Sequence, residues 1–430
     1  MQTASFLQLL LIGLIAAAGP LAYVWARRDA EDLGGTAVAG GARHVSSAHE
    51  PGIAAGSRAR KLVWVILFLT FDLILFGAFT RLTDSGLGCP DWPGCYGSSN
   101  PLTAHADIKA AEAAQPSGPV TVTKAWIEMI HRYLAMGVGV LIAALVALAW
   151  KMRHLGHEQH QRHQRQLRQP RQLRQPRGSS IPSLRGTAAL LLFVCVVGAF
   201  GRLTVTLKLM PLVVTMHLLL AVTLLCALGV MAARLAAPAA ASPPPPAPAA
   251  MSPLPLRAWV RLSLITVFVQ IALGGWVSTN YAVLACPDFP LCHGEVLPAH
   301  ADFASGYELL RPLGVRADGS HLPLEALVAI HWTHRVFALA VLGTVAWTAA
   351  LVLRAPQRDA GSAQLARWLL GLLLLQFLSG ISNVVFSWPI AVAVLHNGGA
   401  AALALTLALL HTRLAMRETP AFAPSALVMS

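Results

Sequence analysis

Long apolar runs separated by short polar stretches make up most of this chain. One extends from about Leu62 to Phe79. Others follow at Trp126–Trp150, Ala188–Thr206, Leu212–Ala232, Val260–Val277, Ala326–Leu353, Trp368–Phe386 and Ile390–His411. Each approximates the ~20 residues that a helix needs to cross ~30 Å of hydrocarbon. An earlier run, Phe6–Trp25, has no basic stretch before it and no small-x-small cleavage site after it. It reads as one more spanning helix and not as a cleaved leader. The pattern predicts an all-α polytopic membrane protein, with an eight-helix core and one extra N-terminal transmembrane helix.

Composition agrees with this reading. Of 430 residues, 56% are hydrophobic and 12% charged, whereas a soluble domain is about a quarter charged. The net charge of +13 would suggest nucleic acid as the partner of a soluble protein. Here the basic residues gather between apolar runs, so topology explains them and no nucleic acid is expected. The segment Lys151 to Arg185 holds nine Lys/Arg against the single acid Glu158. Arg58, Arg60 and Lys61 precede the first core run, Arg234, Arg257 and Arg261 flank an Ala/Pro stretch at 236–255, and Arg354, Arg358 and Arg367 mark a further basic loop. These loops are expected in the cytoplasm. Loops 80–123 and 278–325 then face outward, to the periplasm if the membrane is a Gram-negative inner membrane. The twice-repeated Gln-Leu-Arg-Gln-Pro-Arg in the basic segment reads as a solvated low-complexity tether, in which His154, His157, His160 and His163 could trap metal adventitiously.

The Ala/Pro stretch divides the core into two halves that resemble each other. Phe76-Gly-Ala-Phe-Thr-Arg-Leu-Thr83 leads to Cys89-Pro-Asp-Trp-Pro-Gly-Cys95, and Leu273-Gly-Gly-Trp-Val-Ser-Thr279 leads to Cys286-Pro-Asp-Phe-Pro-Leu-Cys292. Each is followed by a helix with a His-Arg step, then by a helix pair whose second member carries a lone histidine. The expected organisation is two repeated four-helix bundles in the same orientation. The N-terminal half covers 58–235 and the C-terminal half 257–415. They are joined by a linker at 236–256, preceded by a helix and polar loop at 1–57 and followed by a tail at 416–430.

Ionisable side chains are costly inside a membrane and default to a functional reading. Glu128 and His131 stand on one face at the start of their helix, and the second copy of that motif carries His331 and His334. His217 lies six residues after Pro211 and His396 seven after Pro389, which places both roughly 9–10 Å inside their helices. All four of His131, His217, His334 and His396 therefore fall in one layer. A single membrane histidine is often only a packing residue, but four at matched depth and repeat position form a pattern. Imidazoles facing each other across a four-helix bundle are a common way to hold haem by two axial ligands. That gives two sites, His131 with His217 and His334 with His396. A di-iron centre would need further carboxylates, and tetrahedral zinc would need closer ligands or thiolates.

Arg81 and Arg202 end two helices in near-identical settings and are candidates for haem propionate contacts, with interfacial snorkelling as the plainer alternative. Asp72 and Gln270, at equivalent places in the two halves, read as helix bridges, with a catalytic role as the alternative. Cys89 with Cys95 and Cys286 with Cys292 are expected in the oxidising compartment as loop-pinning disulfides, with a redox relay as the alternative for the first pair. Cys195 and Cys226 read as small packing residues.

In these motifs the chain resembles the haem A synthase family over roughly residues 60 to 415. The carriers are Thr80-Arg-Leu-Thr-Asp-Ser-Gly-Leu-Gly-Cys-Pro-Asp-Trp-Pro93, Trp126-Ile-Glu-Met-Ile-His-Arg132, the second His-Arg helix and the two single-histidine helices. The resemblance implies oxidation of the C8 methyl of haem O to a formyl, giving haem A, with water as the oxygen source. It implies a haem b cofactor on His334 and His396, the substrate on His131 and His217, and Glu128 as the essential carboxylate. Haem O, membrane lipid, an electron acceptor and the farnesyltransferase that makes haem O are the partners it suggests. Two rival readings share every histidine: a di-haem b-type electron carrier, and a haem chaperone that leaves its cargo unchanged. Neither needs a carboxylate in one half only.

Overall fold

The computed structural model describes residues 51–166, 182–236, 256–356 and 358–418, together with positions 18 and 21. The expected N-terminal span lies outside the described residues except for Ala18 and Leu21, both helical. Nearly all of the Ala/Pro linker also lies outside them. The described elements are α1 (Pro51–Leu82), α2 (His105–Ala114), α3 (Val122–Gln166), α4 (Leu184–Thr206), α5 (Pro211–Ala236), α6 (Leu256–Thr279), α7 (Phe303–Gly306), α8 (Leu324–Arg354), α9 (Ala360–Val385) and α10 (Ile390–Glu418). Among these residues, β structure is limited to three isolated bridge pairs.

Eight of the described helices, all but α2 and α7, are long and apolar enough to cross a membrane. In hydrocarbon a backbone must satisfy its own hydrogen bonds, so uninterrupted apolar sequence of this length becomes helix. The eight spans coincide with the eight core runs of the sequence. Two boundaries differ from expectation. Helix α1 begins at Pro51, inside the polar stretch, where proline suits a first helical turn. Helix α3 runs beyond Trp150 through Lys, Arg, Gln and Glu to Gln166. Most of those are good helix formers, Gly156 is tolerated among them, and no proline intervenes before Pro170. Part of the expected tether is therefore a helical extension of the span.

The packing forms two closed rings. Helix α1 packs on α3, α3 on α4, α4 on α5, and α5 back on α1. The second ring repeats this order with α6, α8, α9 and α10. The rings meet through their first and last helices, with α1 on α10, α5 on α6, and α5 on α10. One continuous apolar core crosses that seam, including Leu225 and Leu228 of α5, Ile271 of α6 and Leu407 of α10. Small residues permit the close approach, as is usual between membrane helices. A Cβ on Gly398 would collide with Leu75, and one on Gly229 would collide with Leu405.

The turns at one end of each ring also match. Lys208 and Leu209 between α4 and α5, and Ser387 and Trp388 between α9 and α10, all have positive φ. Each pair closes a tight hairpin into a proline, Pro211 or Pro389. At the opposite end Asp359 caps α9 and binds α10, accepting from Arg413 Nε at 2.7 Å and from Arg417 Nη1 at 2.6 Å.

Candidate functional site

Each of the four histidines rests against a glycine of the neighbouring helix. A Cβ on Gly77 would lie 2.9 Å from His131 Cε1, and one on Gly274 would lie 3.0 Å from His334 Cε1. For Gly201 against His217 and Gly380 against His396 the distances are 3.3 and 3.4 Å. The glycines thus make four cradles, one per imidazole, at equivalent places in the two rings. Phe76 flanks His131, its ring near-parallel at 6.2 Å between centroids. His131 and His217 are close enough to interact electrostatically, and so are His334 and His396. The structure therefore brings together the two pairs expected from the sequence. All four residues are only half-buried, which leaves part of each accessible although protein surrounds it.

The pairs differ in their polar support. His396 Nδ1 lies 2.9 Å from Ser379 Oγ, and His334 Nδ1 lies 3.2 Å from the Gln270 amide nitrogen. In the other ring Nδ1 of both His131 and His217 is buried without a hydrogen-bond partner. The Val197 carbonyl faces His217 but does not meet hydrogen-bond geometry at Nδ1. Aligning the cradle glycines pairs Gln270 with Leu73, since both precede their glycine by four. Asp72 is therefore one residue out of register with Gln270, and the expected equivalence of these two is corrected.

Above the histidines, each disulfide loop is clamped to its His-Arg helix. Cys89 pairs with Cys95, and Cys286 with Cys292. Asp91 accepts the N–H groups of Tyr96 at 2.6 Å and Gly97 at 2.8 Å, and Asp288 does the same for His293 and Gly294. These amide donors hold the Asp288 carboxyl below its ordinary range, Gly294 first and His293 with it. Arg132 Nη1 donates to the carbonyls of Asp91, Pro93 and Gly94 at 2.9, 3.2 and 2.6 Å. Arg335 reaches the carbonyls of Asp288, Leu291 and Cys286 at 2.7, 2.9 and 2.6 Å. Gly88 lets the first loop press onto α3, where a Cβ would collide with the Lys124 carbonyl group.

Glu128 completes the first clamp. It is buried, accepts the Cys89 N–H at 2.8 Å, and pairs with Arg132 one turn on. At the same place in the other half, His331 accepts the Cys286 N–H at 3.3 Å and faces Arg335 Nε at 3.1 Å. The two halves therefore use the same clamp, with a carboxylate in one and an imidazole in the other.

The two arginines singled out from sequence lie in different surroundings. Arg81 sits at the seam between the rings, donating to the Ser278 carbonyl at 2.5 Å and to Asp84 at 3.0 Å, and stacking over Tyr281. Asp84 in turn accepts from the Tyr281 hydroxyl at 2.6 Å. Arg202 lies over the Trp92 ring at 5.4 Å. Sequence reading missed the clamps and the cradles. Their signals were present as the repeated Cys-Pro-Asp and His-Arg steps, and as glycines placed identically in otherwise apolar runs.

Residues 60–408 match a protein-family model described as "Cytochrome oxidase assembly protein". The chain is 37% identical over 358 residues to the protein named "Heme A synthase" of Shewanella oneidensis, covering 81% of this chain and 94% of that relative. It is 28% identical over 355 residues to the protein of the same name from Chelativorans sp. (strain BNC1), covering 79% of this chain and 87% of that one. A third, from Bradyrhizobium sp. (strain ORS 278), is 28% identical over 383 residues, covering 84% of this chain and 93% of the relative.

Proposed function

Because this chain belongs to the haem A synthase family of cytochrome oxidase assembly proteins, we propose that it oxidises the C8 methyl of haem O to a formyl. The product is haem A for cytochrome oxidase. The observation that carries this reading is that, in two matched clamps, the group accepting the loop cysteine N–H is a carboxylate in one half and an imidazole in the other, Glu128 against His331. A pure electron carrier or chaperone has no use for a carboxylate in one half alone.

In this reading His131 and His217 hold the substrate haem, and His334 and His396 hold a haem b cofactor. The residues fit a haem, being paired imidazoles on facing helices, each seated on a glycine and each partly accessible. Haem b, when bound, supplies one-electron redox chemistry. Glu128 stands one turn before His131 on α3. Its two oxygens each spend one acceptor site, on Cys89 N–H and on Arg132, and keep further lone pairs. Glu128 would orient a water beside the methyl carbon and take up a proton as a C–H bond gives way to C–O, each such stage releasing two protons and passing two electrons to the electron acceptor. Arg132 fixes the carboxylate, and the disulfide loop covers it. Arg202, over Trp92, is a better placed propionate contact than Arg81, whose donors turn to Ser278 and Asp84.

The membrane is the cell inner membrane, with the disulfide loops on the periplasmic side. The basic loops at the opposite ends of the helices support that orientation, and an oxidising compartment suits the disulfides. A farnesyltransferase that makes haem O, and an electron acceptor, complete the set of partners.

The test is haem extraction from cells that make haem O, with and without this chain, followed by chromatography and mass analysis. A new formyl-bearing haem A peak is expected. An unchanged haem O pool, with haem b on the purified protein and its electron acceptor present, would point instead to electron transfer.

A further inference from the structure

The short contact of Ser379 with the backbone favours one tautomer of His396. The Ser379 hydroxyl hydrogen is taken by the Leu375 carbonyl at 2.6 Å, the geometry of a helix-internal serine. The Gln376 carbonyl, at 3.3 Å, is the other acceptor within reach. With its hydrogen directed to the backbone, Ser379 Oγ can only accept from His396 Nδ1 at 2.9 Å. His396 is then the Nδ1–H tautomer, with its lone pair on Nε2. That tautomer is the one able to ligate iron through Nε2.

The neighbouring ligand position is held by a side chain of the opposite sense, an amide donor. The Gln270 amide donates to the His334 backbone carbonyl at 3.0 Å and lies 3.2 Å from Nδ1. The other half has no side-chain counterpart, and the Val197 backbone carbonyl is what stands near His217. Counting from the cradle glycines, Phe200 stands where Ser379 stands and Leu73 where Gln270 stands, and Nδ1 of both His131 and His217 is buried without a partner.

We propose that Ser379 is a positioning residue that fixes the tautomer and orientation of His396, making the C-terminal site retain its haem while the N-terminal site, with Phe200 in that place, releases its own. This rests on the reading of His334 and His396 as haem ligands. A hydrogen bond to the far nitrogen of a ligating imidazole holds the ring and raises its basicity, which strengthens binding and favours the oxidised metal. The asymmetry fits a resident cofactor in one half and a passing substrate in the other.

The experiment uses the full-length protein purified with its haem, comparing wild type with Ser379→Ala, Ser379→Cys and His396→Ala. Haem transfer to excess apomyoglobin gives the loss rate, and redox titration gives the potential. For Ser379→Ala we expect haem b to leave about tenfold faster. A tenfold loss of preference for the ferric form would move the potential positive by about 59 mV. Ser379→Cys, close in volume with a weaker acceptor, should fall between and serves if the alanine variant does not fold. Wild-type loss rate and potential in Ser379→Ala or in Ser379→Cys would overturn the proposal, provided His396→Ala loses its bis-imidazole spectrum. If His396→Ala keeps that spectrum, the ligand assignment fails and the proposal falls with it.

Discussion

Glu128 accepts the Cys89 backbone N–H at 2.8 Å, and so the proposed catalytic carboxylate also fastens the disulfide loop to α3. Truncating it has two consequences. Glu128→Ala leaves a buried N–H unpaired and takes the carboxylate from Arg132, which keeps only its carbonyl acceptors, and breaking a buried ion pair costs about 3–5 kcal/mol. Glu128→Gln keeps an acceptor for Cys89 and should cost about 1–2 kcal/mol. Thermal unfolding in detergent should rank the two in that order. Equal midpoints would mean that the loop does not depend on this side chain.

The cradles make a graded prediction. Gly77→Ala and Gly274→Ala would place a methyl 2.9 and 3.0 Å from an imidazole carbon, closer than the 3.3 and 3.4 Å at Gly201 and Gly380. Overpacking costs about 1–3 kcal/mol, which corresponds to roughly tenfold or more in haem affinity. The first two variants should therefore lose more haem than the second two. Spectroscopic haem content checks this, and an inverted order would contradict the cradle account.

Arg132→Lys should loosen the first loop, and Arg335→Lys the second. A lysine ammonium cannot present the planar fork that reaches several carbonyls at once. Hydrogen exchange at Cys95 and Ser98, or at Cys292 and Glu295, should speed up about tenfold in the matching variant only, in line with the loss of about 1.4 kcal/mol per decade. Acceleration in both loops from either single variant would show that they are not clamped separately.

Asp359 predicts a pH dependence at the other end of the molecule. Burial pushes its carboxyl up, but hydrogen bonds from Ser362 and the Arg413 guanidinium outweigh that and hold it well below the ordinary range. A depressed folded-state value means that the stabilisation is complete above the unfolded value of about 3.9 and fades as pH falls below it. Asp359→Asn should therefore lower stability at pH 7 by about 1–2 kcal/mol. The gap from wild type should narrow only below about pH 4. A difference that instead peaked in acid would have the wrong sign for this clasp.

The membrane spans and the repeat were legible because length and apolarity alone decide a spanning helix, and because Cys-Pro-Asp and His-Arg recur at fixed offsets. The placement of the four histidines against glycines of neighbouring helices could be looked for because ionisable groups stand out against hydrocarbon. Gly77, Gly201, Gly274 and Gly380 were not legible, since a glycine in an apolar run equally signals close helix packing. The role of Arg132 depends on where the loop folds back, which spacing does not encode. Arg81 looked like Arg202 in sequence, yet it meets Ser278, its own repeat counterpart, where the two halves join. Local motifs cannot show which copy of a repeated residue faces that seam. The length of α3 was underestimated because basic, Gln-rich sequence suits solvent and helix alike.

If the N-terminal half oxidises haem O with Glu128 as its carboxylate, purified Glu128→Gln protein from cells that make haem O should carry haem b together with unconverted haem O, and no haem A, when its bound haems are identified. Haem A at wild-type abundance on that variant would contradict it.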